Sequence, residues 1–260
     1  MPTFVHPLWG YAIDYPEGWA HRDEGEVVAF AARPEALDPE YEGEGMGYLL
    51  IRPELNPFLR PIEPLWTEYI TKIAIMRGAK KLGASPLKVG NLQGYEAELL
   101  LPAKLNRRLW VGLLAAGGVI LHLMVTHRKD DRALFQEPAS KMVKSLRFVE
   151  RVEGVKLSPR GLPLPADYQP ASPTEVVEGV DDPAQWEAFT GKAPIAALQV
   201  FYLREAPLHG WKIAEYYPYP NPYTPAPMAR LRLEKDDQTA AVGLIPREEG
   251  RQTDVAVKYA

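Results

Sequence analysis

Five histidines, at positions 6, 21, 122, 127 and 209, are the imidazoles available for metal binding or general base work, and the chain has no cysteine. Without thiols there is no disulfide, no thiolate nucleophile, no iron–sulfur cluster and no thiolate zinc site. His122 and His127 form the one close pair. A strand turns alternate side chains to opposite faces, so this odd spacing sends the two rings apart and they are not expected to share a metal. One is expected half-buried and the other exposed near the strand end. Acidic residues crowd a single loop, with Glu35, Asp38, Glu40, Glu42 and Glu44 around Gly43 and Gly45. Calcium takes oxygen ligands around such glycine turns, but the spacing departs from the EF-hand pattern. A solvated acidic loop is expected, and no metal is assigned.

Phosphate and acyl chemistry fare no better. The run Gly43-Glu44-Gly45-Met46-Gly47 leads into a strand, so it lacks the helix N-terminus whose free amides hold pyrophosphate. Gly191-Lys192 has no upstream glycine to make a P-loop. Ser85-Pro86-Leu87-Lys88 matches the serine–lysine spacing of penicillin-recognising enzymes, yet Pro86 and Val89 point to a strand, where positions three apart face opposite sides. The Ser-Asp-Asn and Lys-Thr-Gly partners and the Gly-x-Ser-x-Gly elbow are absent. No catalytic residue and no cofactor is assigned.

Two features point to binding instead. Arg77, Lys80, Lys81, Lys88, Lys104, Arg107 and Arg108 form a basic group that would suit an acidic protein or an anionic ligand if their loops converge, and otherwise are scattered solubilising charge. The run from Tyr216 to Pro227 holds Tyr216, Tyr217, Tyr219 and Tyr223 among five prolines. Prolines fix the backbone and tyrosines offer broad amphipathic faces, so these four are the candidate binding residues. The alternative is a hairpin connection folded back on its own domain. Another protein is the expected partner.

Composition sets the outer limits. The chain has 260 residues, 46% hydrophobic and 25% charged, with a formal net charge of −4. That is ordinary globular composition, and neither half carries the basic excess that would attract nucleic acid. Residues 109–124, the longest apolar stretch, are interrupted by Gly112, Gly117, Gly118 and His122. They fall short of the roughly 20 residues that span a bilayer, so no membrane span is expected. The N-terminus lacks a basic start and an apolar run. A soluble, cytoplasmic protein follows, unless a signal or lipoprotein segment has been removed. Proline, at 26 residues, is about twice as frequent as usual, a bias that suggests a thermophilic source.

The elements that must carry these residues follow from periodicity. Residues 11–15 and 27–32 are β-rich, separated by Pro16-Glu17-Gly18, and are expected to pair; residues 47–55 add a strand. Prolines 57, 61 and 64 imply an extended connection. Leu65, Trp66, Tyr69, Ile70 and Ile73 then recur at helical spacing, ended by Gly78. Strands at 87–90, 95–101, 108–115 and 119–126 follow, the last two a hairpin around Gly117-Gly118. A second helix spans Leu134 to Leu146, restarted at Pro138. Further on come a helix over Ile195 to Leu208 with Gly210 as its stop, then strands at 211–217, 228–235, 240–246 and 253–259.

The opening Tyr11-x-x-x-Tyr15-Pro16-x-Gly18-Trp19, the strand Gly94-Tyr95-Glu96-Ala97-Glu98 and the ending Val143-Lys144-Ser145-Leu146-Arg147-Phe148 resemble the PsbP-like superfamily over about residues 3–150. Its members include extrinsic subunits of photosystem II, bacterial lipoproteins and a eukaryotic factor that binds the Ran GTPase. The resemblance implies a fold used for docking, with no common active site. The C-terminal section resembles α+β domains of uncharacterised bacterial proteins. The fold expected is therefore α+β: an antiparallel sheet packed by two helices at 1–152, a proline-rich linker at 153–174, and a second small α+β domain of helix plus antiparallel meander at 175–260. The expected function is that of a non-catalytic binding or docking protein of bacterial origin. The competing reading is an enzyme or small-ligand carrier with its site in an interdomain groove.

Overall fold

The computed structural model describes residues 1–6, 9–25, 27–38, 40–41, 43–56, 60–116, 119–148, 152, 154–220 and 226–260, without the side chains of 104, 116 and 133. The chain divides into two compact units, Met1–Val5 with Tyr11–Arg147, and His6–Gly10 with Phe148–Ala260.

The first unit holds β1 (Thr3–Val5), β2 (Tyr11–Asp14), β3 (Ala20–Asp23), β4 (Val28–Ala31), β5 (Gly47–Leu55), α1 (Ile62–Arg77), β6 (Lys80–Lys81), β7 (Ser85–Val89), β8 (Leu92–Leu100), β9 (Arg107–Ala116), β10 (Val119–Arg128) and α2 (Arg132–Lys144), and β11 (Arg147–Phe148) ends it. Its main sheet runs β3-β4-β5-β10-β9-β8-β6, with β7 also paired to β8, and the described pairs in it are antiparallel. β10 carries apolar side chains on both faces, Leu121, Leu123 and Val125 on one and Ile120 and Met124 on the other, because both faces of the sheet are covered there. On one face α1 sets Trp66 and Ile70 against Ala97, Val111, Leu113 and Ile120. On the other, Phe135 of α2 lies 6.0 Å from His127 and stacks on Trp19 at 4.9 Å.

Three expectations for this unit need correcting. Residues 11–14 pair with β1, not with β4, because the turn at Gly18, with φ of 84°, leads into β3, which takes that place. β3 is Ala-His-Arg-Asp and mostly exposed, so no apolar alternation announced it. Pro64 lies in the first turn of α1 rather than in an extended connection; a first-turn residue has no intrahelical acceptor, so its missing N–H costs nothing there. Pro138 sits inside an unbroken α2, and the carbonyl it leaves unbonded is that of the exposed Leu134. As expected, Gly78 ends α1 in the left-handed region, at φ of 58°.

The second unit holds β12 (Val155–Leu157), β13 (Pro163–Pro165), β14 (Gln169–Ala171), α3 (Pro173–Val176), β15 (Trp186–Thr190), α4 (Ile195–Leu208), β16 (Lys212–Tyr217), β17 (Ala229–Lys235), β18 (Gln238–Arg247) and β19 (Gln252–Tyr259). Its sheet runs β14-β15-β19-β18-β17-β16. The expected helix and four-strand meander are present, extended by β15 and β14 to six strands. Ile195, Leu198, Phe201 and Tyr202 of α4 join Leu231, Val242, Leu244 and Val257 of the sheet in one core. Within the segment expected to be a linker, Leu162, Leu164 and Tyr168 belong to that same core. Tyr168 donates to the Thr253 carbonyl at 2.8 Å, and Trp211 Nε1 donates to the Gly161 carbonyl at 3.0 Å. Prolines are compatible with short extended pieces that need few backbone donors, and the two leucines supply the apolar area that anchors them. The helices and antiparallel sheets make the protein α+β.

Candidate functional site

The β10-β9-β8 register lays side chains of one sheet face in rows. Lys80, Leu100, Arg108 and His127 stand opposite one another in the first row. Glu98, Trp110 and Val125 make the second, and Ser85, Glu96, Gly112 and Leu123 the third. α2 covers this face only over its β10 side. Between α2 and the residues joining β6 to β7, the uncovered part of the face forms a groove of about 990 Å³, walled by Ala139, Ser140, Val143 and Lys144 on one side and by Leu82, Ser85 and Leu87 on the other. That volume is at the upper end of small-molecule sites.

Trp110 is the centre of the floor. Its Nε1 donates to Glu96 Oε2 at 2.9 Å, and Ser85 Oγ donates to the other oxygen of the same carboxylate at 3.4 Å. Gly112 makes room for the ring: a methyl group there would stand 2.7 Å from the far edge of the indole and 3.3 Å from Leu87. The indole thus lies across a hollow in the strand and is pinned at its nitrogen. Leu100 on the sheet face and Leu82 in the connection beside it are 49% and 57% exposed, which leaves two large apolar side chains open to solvent in the groove. Arg108 lies 3.7 Å from Glu98.

The sequence candidates fall in several places. Tyr216 and Tyr219 pack against the core of their own unit. Buried Gln199 ties them down: its Oε1 accepts from Tyr216 OH at 2.7 Å and from the Tyr219 amide at 2.8 Å, and its Nε2 donates to the Tyr219 carbonyl at 2.7 Å. Burial pushes the Tyr216 hydroxyl well above its ordinary pKa. Tyr217 is 47% exposed, with the Arg230 guanidinium 5.4 Å from its ring centre. Tyr223 lies outside the described residues.

His122 and His127 do face opposite sides of the sheet, but neither is exposed. His127 is buried under Phe135, and half-buried His122 has Tyr69 of α1 4.7 Å away and Glu54 Oε2 3.0 Å from its Nε2. The hydrogen bond from His122 holds the Glu54 carboxyl below its usual range, against the opposing effect of burial. Among the described residues no three His, Asp or Glu side chains gather as metal ligands. Ser85 and Lys88 lie on β7 facing opposite ways, opposite Glu96 and Gln93. Of the basic group, Lys80 and Arg108 flank Leu100 and Arg107 borders the groove, while Lys81 faces the other side. The groove as a whole escaped sequence reading, since Leu82, Glu96, Trp110 and Val143 come from four separate elements. One local signal was present: a tryptophan two residues before a glycine on a strand, with glutamates at alternate positions on the strand beside it.

The class these features define is an α+β protein whose first unit carries a sheet between two helices, one of them leaving part of its face open. No family model and no curated protein sequence matches the chain. Among solved structures, it is similar in fold to cyanobacterial PsbP (CyanoP) from Synechocystis, at 14% identity and a TM-score of 0.43, over 56% of this chain and 91% of that one. It is also similar to the Ran-binding protein Mog1p of Saccharomyces cerevisiae, at 10% identity and a TM-score of 0.41, over 57% and 95% of the two chains. A protein from Bacteroides thetaiotaomicron is similar over 96% of this chain and 87% of its own, at 11% identity and a TM-score of 0.41. No helix among the described residues is long and apolar enough to cross a membrane.

Proposed function

We propose that the protein is a non-catalytic binding protein that docks a partner protein through the groove of its first unit. The observation that carries this reading is the pinned Trp110 sharing one concave surface with the exposed side chains of Leu82 and Leu100. Aromatic anchors with exposed apolar neighbours and a polar rim are the ordinary composition of a docking site. The hydroxyls in the groove support binding rather than acyl transfer. Among the described residues neither Ser85 nor Ser140 is hydrogen-bonded to a histidine, and Ser85 Oγ is engaged by Glu96. The tyrosine surface is the competing docking site, and it rests on Tyr217.

The test is site-specific photo-cross-linking in the source cells from positions 100 and 217, with products identified by mass spectrometry. A partner cross-linked from position 100, and lost when Leu82→Glu is added to that same chain with an unchanged melting temperature, is the expected result. Cross-linking from position 217 alone would move the docking site to the tyrosines. No protein product from either position would overturn the docking reading in favour of a small-ligand carrier or an enzyme.

A further inference from the structure

The charge around the groove differs in sign from the charge of the chain. Its border carries Arg107, Arg108, Lys129 and Lys144 against Glu96 and Glu98, four cations to two carboxylates and so a formal +2, in a chain of net −4. The two carboxylates are already engaged, Glu96 by Trp110 and Ser85, Glu98 by Arg108. Lys80 adds a further cation in the same row, beyond Leu100. Glu96, Glu98 and Leu100 stand on one face of β8, and four residue steps of a strand cover about 13 Å. That length suits an extended segment of four or five residues. Nucleic acid does not suit the floor, because Glu96 and Glu98 would face its phosphates.

From this complementarity of charge and apolar area we propose that the groove recognises an extended segment of a partner protein in which apolar side chains alternate with carboxylates. The inference rests on the docking reading and adds the chemistry of the occupant. Apolar side chains of the segment cover Trp110, Leu82 and Leu100. Its carboxylates meet the Lys144 ammonium on the α2 wall and the Arg107, Arg108 and Lys129 end.

The full chain is titrated, by fluorescence anisotropy, into labelled Asp-Leu-Asp-Phe-Asp-Leu amide and into the counterpart with Lys in place of each Asp. The acidic peptide is expected to bind about tenfold more tightly at ~50 mM salt, with the advantage shrinking at ~500 mM as screening grows. Lys144→Glu, a change at an exposed position, should weaken the acidic peptide several-fold with no shift in melting temperature, and Leu82→Glu, Leu100→Glu should remove binding of both peptides. Equal binding of the two peptides, lost in the double leucine variant, would overturn the charge preference and leave groove docking standing. Binding of neither peptide would overturn the inference. If decanoate then binds in a manner abolished by Leu82→Glu, Leu100→Glu, the docking reading falls with it and the groove is a small-amphiphile site.

Discussion

Trp110 would be a poor platform if its indole turned freely, and two neighbours stop it turning. Glu96 holds the nitrogen at 2.9 Å, and Gly112 supplies the hollow in which the ring lies. Gly112→Ala is the sharpest probe of that arrangement, because the new methyl group would stand 2.7 Å from the ring edge. Overpacking of this kind costs about 1–3 kcal/mol, and here the ring can yield only by leaving Glu96. Calorimetry should show a folded protein with a melting temperature a few degrees lower, and cross-linking from position 100 should drop sharply. A second residue-scale prediction concerns Asp14, which accepts from Arg147 through two nitrogens at 2.9 and 3.1 Å and from Thr3 at 2.6 Å. Arg147 first, then Thr3, hold its carboxyl below the ordinary range. A depressed carboxylate stabilises the fold above the unfolded pKa of about 3.9 and loses that contribution as pH falls through its folded value. Asp14→Asn should therefore lower the melting temperature at pH 7, and the gap to the parent protein should close below about pH 4. The pair is largely exposed, so the difference at neutral pH should stay under ~1 kcal/mol.

Elements with a strong apolar period were legible from sequence, and those without one were not. α1 and α4 repeat apolar residues at helical spacing, and their ends carry Gly78 and Gly210, with φ of 58° and 82°. The strands β5, β8, β9 and β10 were found because they are long, rich in apolar residues and bounded by turn residues. β3 was missed because an exposed polar edge strand has nothing to bury. The segment 153–174 was misread for a different reason: five prolines look like a linker, whereas Leu162, Leu164 and Tyr168 among them are buried. Proline content reports backbone stiffness, and only tertiary contact decides whether a stiff segment is free or packed. The groove was illegible because its residues meet through sheet register, which no local pattern encodes. Only Tyr217 among the described tyrosines keeps the exposure that the sequence reading needed, since Gln199 on α4 draws Tyr216 and Tyr219 inward. The packed state of the proline-rich segment has a direct check. Amides of Leu162 and Tyr168, which donate to Ser158 Oγ at 3.2 Å and to the Pro165 carbonyl at 3.1 Å, should exchange with solvent as slowly as those of α4. Exchange within seconds across residues 155–171 would restore the linker reading.

At the scale of the whole molecule, the division into two units raises the question of whether they are thermodynamic domains. Each has a core built from its own elements, Trp66 and Ile70 with the β8, β9 and β10 side chains in one, α4 with the six-stranded sheet in the other. We propose that each unfolds as its own cooperative unit, with the second taking in the proline-rich segment. Leu164→Ala tests this, because Leu164 is 1% exposed in the second core and truncating a buried leucine costs about 2–5 kcal/mol. If the units are separate, hydrogen exchange by mass spectrometry should show faster opening throughout peptides of residues 155–260. Peptides of residues 62–147 should keep the rates of the parent protein, since their opening draws on a core the substitution does not touch. Calorimetry should then show one transition moving down by several degrees while the other stays in place. Binding offers an independent readout, because every groove residue lies within Tyr11–Arg147. The Leu164→Ala protein should hold the acidic peptide with unchanged affinity at temperatures where its second unit is already melted. Faster exchange across both sets of peptides, with peptide binding lost in the same transition, would instead make the chain a single cooperative unit.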